Sequence, residues 1–368
     1  MEKRGYNVIV STRTIRVLNA RNGGEAMELS SRKQAVLSAI VKAYIETGEP
    51  IGSKILTNLI ENAPSSATLR NEMNELCTLG LLSQPHTSAG RVPTSLGYKL
   101  YIDSLLSEGL LPSHTKDYIN NLISPAGCEL QNLPITAAKA LGELTGYPAI
   151  SCFIVKPDVF LKQVQLLPVS RKTAILLTVF SDGRTASRVC HISDGVNGNI
   201  SESFLRLTRE KLLKKPLASF DRANLQSIIA ACGINSLSLM PLVTALFEMA
   251  QSAAESSVNI SNSPALYGFC SDEHAHKLTL LNNHPDTAIS ILDAAKDSNV
   301  IFGNETTLDE LNGKVIVFER YYCGDSYCGA IGIIGPDRMA YEQIIPSVKY
   351  TAQQLTQLIT RAVDDMEE

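Results

Sequence analysis

Long apolar stretches are scarce in this chain. The runs that stand out, such as Ala174 to Leu177 and Ala330 to Ile334, fall far short of the ~20 consecutive apolar residues that cross a bilayer, so no membrane span is predicted. Behind Lys3 and Arg4 the first apolar stretch is only Val8 to Val10, too short for the hydrophobic region of a signal peptide. A cytoplasmic protein is expected. Excess positive charge is also missing: the net charge is −4 and the pI about 5.9, so bulk charge does not coat nucleic acid or membrane. Any nucleic-acid contact must be local. Aromatic residues make up only 6% and charged residues 19%, but 44% of the 368 residues are hydrophobic, which excludes a disordered or collagen-like chain. At ~100–200 residues per domain, that length predicts two or three domains.

The eight cysteines are scattered and mostly in apolar context, as Cys152 is beside Phe153 and Ile154, and read as small core residues rather than a disulfide framework. Only Cys323 and Cys328 lie close together, and a lone C-x4-C without a second pair or a nearby histidine is poor zinc spacing. Asp272-Glu273-His274-Ala275-His276 would bring its two histidines to one side if extended, but no third ligand can be named and a solvated turn is the better reading. Gly329, Gly332 and Gly335 follow a strand pattern with spacing G-x-x-G-x-x-G, which lacks the close first pair of a dinucleotide loop and reads as a glycine-rich strand and turn. No nucleophile elbow, phosphate loop or paired-carboxylate motif is found. Hence no catalytic residue, cofactor or metal site is predicted.

Residues 1–26 carry a net +3, end in Asn22-Gly23-Gly24 and show no sustained periodicity, which predicts a basic flexible extension. From Ser30 the pattern turns helical. Leu37, Ile40, Val41, Tyr44 and Ile45 form one apolar stripe, and Thr47-Gly48-Glu49-Pro50 stops it. Ser53 is expected to cap a second, short helix with Leu56, Leu59 and Ile60 inward, broken at Asn62-Ala63-Pro64-Ser65. Ser66 is expected to cap a third, with Leu69, Met73 and Leu76 on its buried face and a left-handed stop at Gly80. Leu81 to Gln84 then reads as a strand, His86 to Gly90 as a turn and Arg91 to Pro93 as a returning strand. Three short helices also occur in modules that only pack or bind protein; the added hairpin makes this a winged helix-turn-helix.

The run Ile45-Glu46-Thr47-Gly48-Glu49-Pro50-Ile51-Gly52-Ser53-Lys54, then Ser66 to Met73, then Gln84 to Thr94, resembles the HrcA family of bacterial heat-inducible transcription repressors. A second likeness, Gly332 to Tyr341, lies near the C-terminus. The resemblance implies an α+β multidomain chain: winged helix over 27–105, a GAF-like α+β domain over 106–192 and 290–368, and an inserted dimerising domain over 193–289. It also implies repression of heat-shock chaperone operons of the grpE-dnaK-dnaJ and groEL-groES type through an inverted-repeat (CIRCE-type) operator, released on heating, with a GroEL-type chaperonin as partner.

In a winged helix the start of the third helix enters the major groove and the wing tracks the backbone or minor groove. The candidates on the helix are Ser66, Thr68, Arg70 and Asn71, and on the wing His86, Thr87, Ser88 and Arg91. Arg70 either forks onto guanine or phosphate or pairs with Asn74 or Glu75 on its own helix. Residues 27 to 103 carry seven basic and seven acidic side chains, so one module neutralises few phosphates. Tight binding to double-stranded operator DNA should then need a homodimer whose two modules share one inverted repeat. The alternative is a ligand-gated DNA-binding regulator whose GAF-like domain senses a small molecule.

Overall fold

The computed structural model describes residues 6–11, 14–19, 26–86, 89–105, 110–123, 130–232, 236–295 and 298–367. The chain divides into two compact units. One comprises Met1–Pro112, Val300–Val317 and Ile334–Ser347; the other comprises Ser113–Asn299, Phe318–Ile333 and Val348–Glu368.

The first unit opens with an antiparallel meander, β1 (Tyr6–Ser11), β2 (Thr14–Asn19) and β3 (Ala26–Glu28). Here the structure departs from the flexible extension expected over 1–26. The charge count hid two runs rich in β-branched residues, which pair with Val8 opposite Val17. Helices α1 (Ser31–Thr47), α2 (Ser53–Leu59) and α3 (Ser66–Thr78) follow, then the short strands β4 (Leu82–Ser83) and β5 (Val92–Pro93) and helix α4 (Ser95–Leu105). The α1 stripe is buried at Leu37, Ile40 and Val41, as expected, and Gly48 ends the helix in the left-handed region. Two cap expectations are corrected. Gly52, not Ser53, is the N-cap of α2, and Ser65, not Ser66, caps α3; in both cases the extended residue lies one position earlier. Leu59 of α2 is also exposed rather than inward.

The second unit holds α5 (Ser113–Leu122), α6 (Leu133–Thr145), β6 (Ala149–Phe153), β7 (Leu161–Ser170), β8 (Thr173–Phe180), β9 (Thr185–His191), α7 (Gly198–Lys211), α8 (Arg222–Ala231) and α9 (Ser236–Ala254). It continues with β10 (Ser257–Ser261), α10 (Asp272–Thr279) and α11 (Pro285–Ala294). Strand β11 (Val300–Phe302) lies in the first unit, whereas β12 (Lys314–Cys323), β13 (Ser326–Pro336) and α12 (Tyr341–Glu367) contribute residues to both.

The strands from β6 onward form two sheets. Five strands run in the order β10-β6-β13-β12-β11, and three form the separate antiparallel sheet β7-β8-β9. Strand β6 pairs with β10, Phe153 facing Ser257, and not with β7, the next strand in sequence. Everything between those partners, 154–256, therefore lies between two neighbouring strands. This inserted segment has its own core, including Leu161, Leu176, Phe180, Phe204, Phe220 and Phe247. Helix α9 contains a window, Leu237–Ala254, apolar and long enough by composition to cross a membrane, contrary to the expectation of none. Its Leu242, Val243, Leu246 and Ala250 are fully buried in that core, so it acts here as a core helix.

Gly329, Gly332 and Gly335 all lie within β13, as the glycine-rich strand reading requires. The Asp272–His276 segment is instead the start of α10, capped by Ser271. A helix caps there because Ser271 supplies an acceptor to the His274 amide and Asp272 and Glu273 sit in its first turn. Two histidines two positions apart then diverge around the helix.

Candidate nucleic-acid interface

The third helix of the winged module is built from both ends. At its start, the Ser65 hydroxyl accepts from the Thr68 amide at 3.2 Å. At its end, the Leu81 amide donates to the Leu76 carbonyl and the Gly80 amide to the Cys77 carbonyl, each at 3.0 Å, with Gly80 at φ +73°. That double closure needs a left-handed residue, which glycine adopts without a Cβ penalty. Between the caps, Leu69 and Leu76 are fully buried and Met73 nearly so. The opposite face is thereby turned outward.

The candidates on this helix divide by partner. The Ser66 hydroxyl shares a 2.9 Å hydrogen bond with Ser53, tying the starts of α2 and α3 together. The Thr68 hydroxyl lies 3.0 Å from that of Ser65. Arg70 and Asn71 are exposed and make no hydrogen bond or ion pair among the described residues. The partners considered for Arg70 are engaged elsewhere: Asn74 accepts from Arg91 at 2.7 Å and Glu75 pairs with Lys33 at 2.8 Å. Arg70 is left as an uncommitted cation on the exposed face of α3.

Arg91 sits at the base of the wing. Its backbone exchanges both hydrogen bonds with Ile51, at 2.9 and 3.0 Å, and its side chain is half-buried against α3. There the guanidinium reaches Asn74 and lies beside the Cys77 thiol, whose pKa burial pushes up and Arg91 pulls partly back. The bridge to Ile51 is close enough that a Cβ on Gly90 would fall 2.5 Å from the Ile51 carbonyl, so only glycine allows the wing to approach. On the other wing strand, Gln84 donates to the Ala89 carbonyl at 3.0 Å, bracing the loop. His86 is exposed. Thr87 and Ser88 lie outside the described residues.

Sequence reasoning missed one set of contacts within this unit. Tyr98 of α4 stacks on Phe302 at 6.0 Å between ring centroids and tilts against Tyr341 at 5.8 Å. Burial drives the Tyr98 phenol far above its usual pKa, so it is a neutral core group. Around it, Lys99 meets Glu305 at 2.6 Å, Lys42 meets Glu342 at 2.8 Å, and Tyr101 donates to Glu342 at 3.0 Å. Residues 300–317 and 334–347, placed in the domain 290–368 by the resemblance, belong to the same compact unit as the winged module. The sequence spacing exceeds 200 residues, so no local pattern could announce these contacts.

A family model described as the winged helix-turn-helix transcription repressor HrcA DNA-binding domain matches residues 28–104. A second, the HrcA protein C terminal domain, matches residues 135–345, more than half of the chain. The chain belongs to the HrcA family. Two relatives span nearly their full length: a heat-inducible transcription repressor HrcA from Brevibacillus brevis, 30% identical over 90% of this chain and 98% of the relative, and one from Acetivibrio thermocellus, 29% identical over 92% and 98%. A crystal structure of a hypothetical protein at 2.2 Å resolution aligns with a TM-score of 0.68 at 22% identity, covering 91% of this chain and 99% of that one, and shares the fold. HrcA relatives are named as transcription repressors, so the module described above belongs to a DNA-binding regulator and not to an enzyme.

Proposed function

We propose that this chain represses heat-shock chaperone operons by occupying an inverted-repeat operator as a homodimer and leaving it on heating. The observation that carries the reading is the outward face of α3, where Arg70 and Asn71 stand exposed beside the wing in a module that matches the family's DNA-binding domain. Arg70 and Asn71 meet base edges or phosphates in the major groove, with Ser66 and Thr68 at the helix start. Arg91 holds the wing against that helix while His86, Thr87 and Ser88 approach the backbone. We place the sheet-bearing domain in the GAF-like class, the chaperonin as the partner that maintains the folded repressor, and the protein in the cytoplasm.

The dimer is supported by a surface of the insert. Val169, Val189 and Leu237 are 61%, 68% and 81% exposed, and Leu167 and Met240 47% each. Val189, Leu237 and Met240 line one shallow groove of about 450 Å³. Large apolar side chains gathered in one patch fit an interface between copies. A dimer also answers the electrostatic deficit, since a neutral module gains affinity by making its second contact intramolecular, by a factor of ~10²–10⁴.

The test is fluorescence anisotropy on a labelled inverted repeat, a scrambled duplex and a single half-site, for wild type and Val189→Asp/Leu237→Asp, with light scattering for mass. The intact repeat is expected to bind best and to lose that advantage when the double variant becomes monomeric. Equal weak binding of well-folded wild type to all three duplexes would overturn the proposal.

A further inference from the structure

The second unit contains a cavity of about 290 Å³ where the end of β6, the start of β7, the β8–β9 turn, the β12–β13 hairpin and α12 meet. That volume is at the small end of pockets that hold organic ligands. Much of its wall is apolar, with Phe153, Val159, Phe160, Ile359 and Val363 contributing. Arg184 also lines it, with a side chain only 7% exposed.

The bonding of Arg184 is incomplete in a specific way. Its Nε donates to Asp182 Oδ2 at 2.7 Å, and its guanidinium carbon lies 5.1 Å from the Phe153 ring centroid and 5.9 Å from that of Phe180. Nε is thus satisfied and the plane is flanked by aromatic rings. Nη2 is buried and has no hydrogen-bond partner. A buried cationic donor without an acceptor is costly, and a guanidinium with a free end is shaped to receive a planar oxyanion.

The remaining charges narrow the choice. Lys156 and Arg184 are balanced in the lining by Asp158 and Asp182, so the four side chains sum to zero. A multiply charged phosphate would face two carboxylates with no surplus cation, whereas a single negative charge can be accommodated at the free end of Arg184. The two thiols present, Cys323 and Cys328, are held protonated, since burial raises both and brings Cys328 to about 11. They add no anion-repelling charge at neutral pH.

We propose that this cavity binds a small apolar monocarboxylate, whose carboxylate accepts from the Arg184 guanidinium and whose hydrocarbon or aromatic body lies against Phe153, Val159 and Ile359. The site belongs to the insert and sheet of the second unit and stands whether or not the chain is a repressor.

The test uses the full chain, with octanoate and phenylacetate as probes and octan-1-ol and inorganic phosphate as controls, followed by titration calorimetry. At least one carboxylate is expected to bind one per chain, with both controls at least tenfold weaker. Arg184→Gln should weaken the carboxylate roughly ten- to a hundredfold, the range for losing one charge-assisted hydrogen bond. Ile359→Trp, which fills the cavity, should abolish binding. Since Arg184→Gln also removes the Asp182 pair and can impair folding, a readout on wild type runs alongside: the bound carboxylate should slow alkylation of Cys323 by iodoacetamide and leave Cys270, which does not line the cavity, unchanged. Neither carboxylate binding at millimolar concentration, octan-1-ol binding as well as octanoate, or no protection of Cys323 would each overturn the proposal.

Discussion

Replacing Arg70 with alanine separates DNA contact from fold maintenance more cleanly than any other change in the winged module. Arg70 is exposed and has no partner among the described residues, because Asn74 is taken by Arg91 and Glu75 by Lys33. The substitution should therefore leave stability within about 0.5 kcal/mol of wild type. On DNA the loss depends on what Arg70 meets. A bidentate contact to guanine is worth about 1–3 kcal/mol, hence about 2–6 kcal/mol for the two modules of a dimer, or about 30- to 10⁴-fold in Kd on the intact repeat. A phosphate contact would instead weaken all duplexes alike and flatten the slope of log K against log salt by ~0.9 per module, ~1.8 for the dimer. Anisotropy across a salt series, on the inverted repeat and on a scrambled duplex, distinguishes the two. An unchanged Kd at every salt concentration would falsify the assignment of α3 as the reading helix.

Two further outcomes follow from the same unit. Arg91→Ala should lower the thermal midpoint as well as operator affinity, and a double-mutant cycle with Asn74→Ala should give a coupling of about 0.5–1.5 kcal/mol; zero coupling would remove Arg91 as the brace between wing and helix. Asp337→Asn tests a half-buried carboxyl: desolvation raises its pKa, partly opposed by Lys314. With the folded value above the unfolded one, ionisation costs stability at neutral pH, and that cost fades as pH falls through the raised folded value and is gone below the unfolded value of about 3.9. Urea unfolding should show the variant more stable at pH 7 and equal to wild type at pH 3.5, and a loss at pH 7 would contradict the argument.

How far the site was readable from sequence varies residue by residue. The buried faces of α1 and α3 follow directly from the spacing of Leu37, Ile40 and Val41 and of Leu69, Met73 and Leu76, since an apolar period names the face that leaves water. Gly80 announces its left-handed stop. The caps slipped by one position because adjacent serines, Ser65 and Ser66, offer the same chemistry and only backbone conformation distinguishes them. The division of labour between Arg70 and Arg91 was not readable. Both are arginines in a DNA-binding motif, and which is free depends on a side-chain contact 17 residues away in sequence.

By itself the sequence determined the local units: three helices with their stops, a wing, a glycine-rich strand, and a motif that assigns the family. These depend on neighbours within a few residues, and periodicity and turn chemistry report such neighbours. Tertiary structure alone decided that β6 pairs with β10 across a hundred-residue insert, that Tyr98 packs on Phe302 and Tyr341, and that Arg184 is buried with one end unpartnered. A hydrophobic pattern states that a face must be covered without stating what covers it. Partners distant in sequence are selected only when the whole chain is packed.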